Sequence, residues 1–247
     1  MFMCFSSGDR YTVAKSCLYH LKNFGINVWY DYHELILGDG KKEKNFEYAI
    51  KNNQYFLILY SNNLFKSPCA IEEEKRIFNE LNTRNITIFP LLYNIKFTEL
   101  PISYKNKLEN YIYNEVDDKK GTLSSINQIV TKILIDKINK TMYDNTPTLS
   151  NYSKKNLSDD YIKQLLDTYN HISDENFNAR ITMLFAIYYY IKCNYGIDQK
   201  INYVYKIIEY LFAFTKLNIE HNHKELIIAE LSMIILLQSV EKTRNSG

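Results

Sequence analysis

Four cysteines stand in 247 residues, Cys4, Cys17, Cys69 and Cys193, and no two of them form a C-x-x-C pair. No Cys/His cluster has zinc spacing either, which argues against a structural metal and a dithiol redox centre. The cysteines are expected to be reduced thiols of a cytoplasmic protein. Long apolar runs are missing as well. The most apolar stretch, 226–240, carries Glu230 and is too short to span a bilayer. The opening residues, MFMCFSSGDR, hold no basic leader and no extended apolar core, so a signal peptide is not expected. Charge of one sign is scarce too. Thirty Lys and Arg against 28 Asp and Glu leave +2, and nothing in that balance demands nucleic acid or an acidic membrane as partner. No internal repeat is visible.

What is present fits a globular chain. Hydrophobic residues make up 46% and charged ones 23%, and the length allows one large domain or two small ones. Tyrosine is abundant, with 22 copies, beside many Lys, Asn and Ile. A binding surface and a genome poor in G and C both explain that bias, and composition favours the second.

The pattern along the first 140 residues alternates. Residues 2–6, FMCFS, read as a buried strand running into a Ser-Ser-Gly-Asp turn. Val13, Cys17, Leu18, Leu21 and Phe24 share a helical face over 11–24, and Gly25 stops that helix. INVWYD (26–31) reads as a strand, 32–42 as a loop and 43–53 as a helix with Phe46, Ala49 and Ile50 on one face. YFLILYS (55–61) is apolar throughout, as a central parallel strand buried on both faces should be. A helix over 68–81 opens with Pro68, strand 85–94 follows, and 97–110 reads as irregular. A short edge strand is expected within 110–116 and an amphipathic helix over 122–139. Such alternation predicts an α/β fold: a flavodoxin-like parallel sheet with helices on both faces. Ligands bind such sheets at the carboxyl ends of the strands, here the loops 6–10, 31–42 and 61–68.

Composition shifts near residue 140. The segment 141–157 is polar and reads as a linker; helices then follow at about 158–171, 175–194, 198–219 and 222–242. Ser158 and Ser173 are the expected N-caps, and Gly196 a helix stop. The expected organisation is an α/β domain over 1–140, a linker over 141–157 and a small all-α helical bundle over 158–243.

Six short pieces stand in a fixed order. They are Phe5-Ser6-Ser7-Gly8-Asp9, Gly25-Ile26-Asn27-Val28-Trp29-Tyr30-Asp31, Leu35-Ile36-Leu37-Gly38-Asp39, Ala49-Ile50-Lys51-Asn52-Asn53, Phe56-Leu57-Ile58-Leu59-Tyr60-Ser61 and Ser67-Pro68-Cys69-Ala70-Ile71-Glu72-Glu73. Together they resemble a TIR (Toll/interleukin-1 receptor) domain of the bacterial type. The resemblance covers about residues 1–140 and does not extend to the helical tail.

The resemblance implies an enzyme that cleaves NAD⁺ at the nicotinamide–ribose bond, with NAD⁺ as substrate and neither cofactor nor metal. It implies one catalytic Glu on the helix after the third strand. The family places it six residues after the Ser and four after the Trp or Cys. From Ser67 and Cys69 both counts reach Glu73, with Glu72 and Glu74 as alternatives that more readily face water. Phe5, Ser6, Ser7, Gly8 and Arg10 would line the nucleotide pocket, small residues letting backbone N–H groups approach phosphate. Arg10 would pair with the pyrophosphate. Trp29 and Asp31 are further candidates for substrate contact, and a core role explains Trp29 equally well. Gly38 and Asp39 fall in the loop that in this family packs against a neighbouring TIR domain and gates the pocket.

Some positions depart from the family pattern: Cys4 for Ser, Phe5 for Tyr, Gly40-Lys41 for Trp, and Cys69 where an aromatic often stands. None of the five histidines falls on a family site position, and His221-Asn222-His223 reads as a surface helix start. The expected function is therefore an NAD⁺ glycohydrolase, yielding nicotinamide with ADP-ribose or a cyclic product. It would act in bacterial antiviral defence, as a homo-oligomer built through TIR–TIR contacts. An activating protein or small-molecule signal would act at the helical domain. The alternative is a TIR interaction module without catalysis, which Cys69 favours. A dinucleotide-binding dehydrogenase is excluded by the absence of G-x-G-x-x-G after the first strand. A receiver domain is excluded by the missing acidic cluster at that strand's end.

Overall fold

The computed structural model of the protein describes residues 1–34, 37, 40, 48–140 and 148–245. The chain divides into two compact units. One comprises Met1–Lys22 with Ile26–Ile126, the other Asn23–Gly25 with Asn127–Gly247.

In the first unit, four strands form one parallel sheet: β1 (Phe2–Cys4), β2 (Tyr55–Tyr60), β3 (Thr87–Tyr93) and β4 (Asn114–Val116), in that spatial order. Met3 lies opposite Leu57, Leu57 opposite Phe89, and Leu92 opposite Glu115. From Phe56 to Tyr60 every β2 side chain is buried, as a strand covered on both faces requires. Strand 26–31 is expected, but it shrinks to one parallel bridge at the free edge of β1. Trp29 N donates to Met1 O at 2.7 Å, and Met3 N donates to Trp29 O at 3.3 Å. β1 has only three residues, so little backbone is left to pair, and the chain turns at once into α2 (Asp31–Glu34). That segment beside β1 still gives the flavodoxin-like order, with the first strand inside the second.

Crossovers are helical: α1 (Lys15–Asn23), residues 48–52, α3 (Pro68–Glu80) and α4 (Ile102–Leu108). α4 falls where the sequence reads as irregular, because only Leu108 of its seven residues is buried and the apolar period is too sparse to recognise. Side chains from the strands meet Ala49, Ile50, Ala70 and Ile77 in one core. Residue 46 and the rest of 41–47 lie outside the described residues.

α5 (Leu123–Asn139) begins in the first unit and continues in the second. The second unit is otherwise α6 (Leu149–Asn156), α7 (Asp160–Asn170), α8 (Phe177–Tyr195), α9 (Asn202–Lys216) and α10 (His223–Asn245). α6 lies inside the segment read as a linker; Thr148 caps it by accepting from Asn151 N at 3.2 Å. Two expected caps are one to three residues off. Asp159 rather than Ser158 caps α7, accepting from Tyr161 N at 2.9 Å and Ile162 N at 3.0 Å. A carboxylate suits the positive end of a helix better than a hydroxyl, and Ser158 instead donates to Glu241. Asn176 rather than Ser173 caps α8 through Ala179 N at 3.1 Å, and Gly196, at φ 77°, ends that helix. His221 is not on the surface. It is buried, its Nδ1 3.0 Å from Glu225 Oε2 and its Nε2 3.0 Å from Thr215 Oγ1. Among the described residues no helix is long and apolar enough to cross a membrane.

Candidate functional site

The site is built on α3. Ser67 caps that helix by accepting from Ala70 N at 3.4 Å, and Pro68 occupies its first turn, where a missing N–H costs nothing. Its buried stripe is Ala70, Glu73, Glu74 and Ile77. This is the usual three-four spacing of a core-facing helix, with two carboxylates in apolar positions. Buried carboxylates need partners. Glu74, 1% exposed, has them: Lys107 Nζ lies 2.7 and 2.8 Å from its two oxygens, and Tyr60 OH donates to Oε1 at 3.2 Å. The expectation that Glu74 faces water is therefore corrected; α4 supplies the lysine that makes its burial tolerable. Burial, reinforced by the Glu74 charge, pushes the Tyr60 phenol well above its ordinary range. Glu72 does face outward and pairs with Arg76 at 2.9 Å, one turn on.

Glu73 is 6% exposed. Cys69, one turn earlier, donates its thiol to Glu73 Oε1 at 3.6 Å. Cys4, the last residue of β1, is the second sulfur beside it. Burial pushes the Cys4 thiol well up, and the neighbouring Glu73 and Glu74 charges push further. Cys4 is thus a neutral thiol, and its Sγ donates to Ala70 O at 3.5 Å, tying β1 to α3. The structure so brings Cys69 and Glu73 beside Cys4 at the carboxyl end of β1.

The loop after β1 is held by contacts that the sequence conceals. Asp9 is 1% exposed, and its carboxylate accepts from Ser61 Oγ at 2.5 Å and from Asn63 Nδ2 at 2.7 Å. Ser61 in turn accepts from Leu64 N at 3.1 Å, so the loops after β1 and β2 share one polar knot. Gly8 lies close against the knot: a Cβ there would stand 3.0 Å from Asn63 Nδ2 and press on it. Ser6 is buried and accepts from Gly8 N at 3.3 Å, while Ser7 and Gly8 are exposed. Asp9, Ser61 and Asn63 are the residues sequence reasoning misses. Their only signal is a polar residue at each of two strand ends.

The remaining candidates divide. Arg10 pairs with Asp31 at 3.3 Å, and both side chains are about four-fifths covered, at 21% and 23% exposure. That pair joins the first loop to the second. Asp31 opens α2 rather than ending a strand. Phe5 is buried and stacks on Tyr30, the rings 5.3 Å apart and 8° from parallel. Trp29 is half-buried, packs on the core and lies 5.8 Å from the Tyr48 ring. Gly38 and Asp39, and most of the expected gating loop, lie outside the described residues. Among the described residues no group of three or more His, Cys, Asp or Glu could hold a metal ion.

A probable 2′ cyclic ADP-D-ribose synthase, TcpO, from Methanobrevibacter olleyae is 27% identical over 100 residues, which is 40% of this chain and 29% of that protein. The chain thus spans under a third of the length of that relative. The family model for the TIR domain matches residues 1–124, half of the 247. With that match and the parallel sheet it covers, the chain belongs to the TIR-domain family.

Proposed function

We propose that the α/β unit cleaves NAD⁺ at the nicotinamide–ribose bond, with Glu73 as the catalytic carboxylate. The observation that carries this reading is the division of labour on α3. Glu72 pairs with Arg76 at the surface and Glu74 with Lys107 and Tyr60 in the core, while Glu73 is buried beside Cys4 at the end of β1 and accepts from the Cys69 thiol one turn back on α3. The reaction asks little else of a protein. Nicotinamide leaves its cationic pyridinium form as a neutral base, so no general acid is needed. The ribose becomes oxocarbenium-like, and a carboxylate beside it stabilises the developing positive charge. An ordinary glycosidase needs a second carboxyl group because its leaving group is poor. Water capturing the cation gives ADP-ribose, and a nucleophile within the same molecule gives a cyclic isomer; the relative's name supports the second outcome.

Ser6, Ser7 and Gly8 would approach the phosphates, with Arg10 turning from Asp31 to the pyrophosphate. Ser67, Cys69, Phe5, Trp29 and Asp31 would shape the pocket, and Gly38 and Asp39 would belong to its gate. Assembly of TIR domains would complete the pocket, and in a bacterial cell the activity would serve antiviral defence. The test is NAD⁺ consumption by the purified chain at high concentration beside Glu73→Gln. The wild type should release nicotinamide, and the variant should lose at least about 100-fold in rate, the usual effect of removing one electrostatic stabiliser. Chromatography of the products separates linear from cyclic ADP-ribose. An inactive wild type at every concentration would favour the interaction module instead.

A further inference from the structure

Asp9 is anchored at every polar group it has. Its N–H donates to Ser6 O at 2.9 Å, and its carbonyl accepts from Thr12 Oγ1 at 3.1 Å. Its carboxylate is shared between two donors of one neighbouring loop: Oδ2 takes the Ser61 hydroxyl and Oδ1 the Asn63 amide. Two donors need two acceptors. A carboxylate supplies both, whereas an amide offers one oxygen and a nitrogen. At 1% exposure this charge is out of water, and burial of a charge is costly when the donors beside it are neutral. Glu74, buried as deeply, meets a lysine instead.

The arrangement fixes the place of one short loop. β1 has three residues, so its ladder alone gives little hold on the chain that leaves it. Ser6 to Gly8 are placed by the grip of Asp9 on the loop after β2. The approach is close: a Cβ on Gly8 would stand 3.0, 3.1 and 3.4 Å from three atoms of the Asn63 side chain. Ser7 and Gly8 remain exposed, and their outer surface is backbone with little side chain over it. The other end of the clamp leads to the helix of Glu73. Ser61 Oγ accepts from Leu64 N at 3.1 Å, Ser67 N donates to Leu64 O at 3.0 Å, and Ser67 caps α3. One hydrogen-bonded path thus runs from the loop after β1 to the start of α3.

We propose that Asp9 is a positioning residue for the nucleotide: its carboxylate, gripped by Ser61 and Asn63, holds the backbone of Ser6 to Gly8 where the phosphates of NAD⁺ reach it while the ribose lies at Glu73. This role rests on the NAD⁺ reading above. Asp9 is buried beneath the loop and acts through it. Phosphate contacts are made equally in the ground state and the transition state, so their loss raises KM and leaves kcat in place.

The experiment reverses the Asp9–Asn63 hydrogen bond. Asn63 is exposed, so substitution there should keep the wild-type melting temperature. Asn63→Asp sets a second carboxylate against Asp9. KM for NAD⁺ should rise at least about tenfold, the usual scale for a hydrogen bond to a charged group, while kcat changes less than about threefold. Adding Asp9→Asn to Asn63→Asp again faces an amide with a carboxylate and leaves an oxygen for the Ser61 hydroxyl, so KM should return most of the way. The same substitutions on a Glu73→Gln background, titrated calorimetrically with NAD⁺, should repeat the order as dissociation constants without turnover. If Asn63→Asp behaves as the wild type, or the paired substitution is no better than Asn63→Asp alone, the positioning role is overturned and the reading of Glu73 stands. A lower melting temperature with KM unchanged, or a fall in kcat alone, overturns it too. If NAD⁺ binds but the wild type does not consume it, the catalytic assignment fails and the dissociation constants still decide the role of Asp9. If NAD⁺ does not bind at all, both fall.

Discussion

Both units bury charge, and they handle it differently. In the helical unit Arg180 is 8% exposed and sits in a closed circuit. Its Nε donates to Tyr169 OH at 2.9 Å, Tyr169 donates to Glu230, the guanidinium lies 3.6 Å from Glu230, and Asp174 takes another N–H. Burial and the Glu230 charge push the Tyr169 phenol far above its usual range. Glu74 in the α/β unit is closed in the same manner by Lys107 and Tyr60. Its neighbour Glu73 shares the helix and the burial, and thiols, which give weak hydrogen bonds, are among the groups beside it. A carboxylate locked to a cation holds a fold together.

The contrast is sharpest between the two adjacent glutamates. Lys107→Met keeps the aliphatic stem and removes the charge, leaving Glu74 buried and uncompensated. Breaking such a pair should cost about 3 kcal/mol of stability, read as a lower midpoint in urea at unchanged slope. Adding Glu74→Gln to Lys107→Met should recover much of that loss, because an amide carries no charge to strand. Glu73→Gln should move the midpoint far less while abolishing NAD⁺ turnover. If Glu73→Gln unfolds the protein as Lys107→Met does, Glu73 is structural and the catalytic assignment fails.

These distinctions mark where the sequence is legible. The apolar run 55–61, the Gly25 break and the Ser67–Pro68 helix start all carry strong local signals, and β2 and α3 appear where they are expected. Counting from Ser67 and Cys69 also reaches Glu73 without a structure. The rest depends on contacts distant in sequence. Glu74 looks solvated until Lys107 arrives from 33 residues away. Asp9 looks like an ordinary turn residue until Ser61 and Asn63, more than 50 positions on, close over it. His221 looks exposed because neither Thr215 nor Glu225 announces that its partner is a buried ring. Sequence period reports burial of apolar faces well, and it cannot report which polar residue will be buried with a partner.

The Arg180 circuit offers the matching test in the second unit. Arg180→Met removes the cation shared by Tyr169, Glu230 and Asp174. About 2–3 kcal/mol should be lost, somewhat less than at Lys107 because Asp174 is exposed and Glu230 keeps partial access to water. Leaving NAD⁺ turnover of the folded protein intact would show that this circuit serves structure alone. A fall in turnover at full folding would instead link the helical unit to the activity.

The smallest effect concerns Asp198, held at the turn into α9 by the Ser239 hydroxyl and the Lys200 N–H. The Ser239 hydroxyl, with Lys200 N–H next, holds the Asp198 carboxyl below the usual carboxylate range. A carboxyl depressed on folding adds stability that is fully present above its unfolded pKa and is lost as pH falls through its folded value. Ser239→Ala should therefore cost no more than about 1 kcal/mol near neutral pH, the net worth of one hydrogen bond to a charged group at a partly exposed site. The difference between variant and wild type should shrink as the pH is lowered through the carboxylate range, measured as melting temperature across a pH series. A constant difference at every pH would mean that Ser239 acts by packing rather than by holding the Asp198 charge.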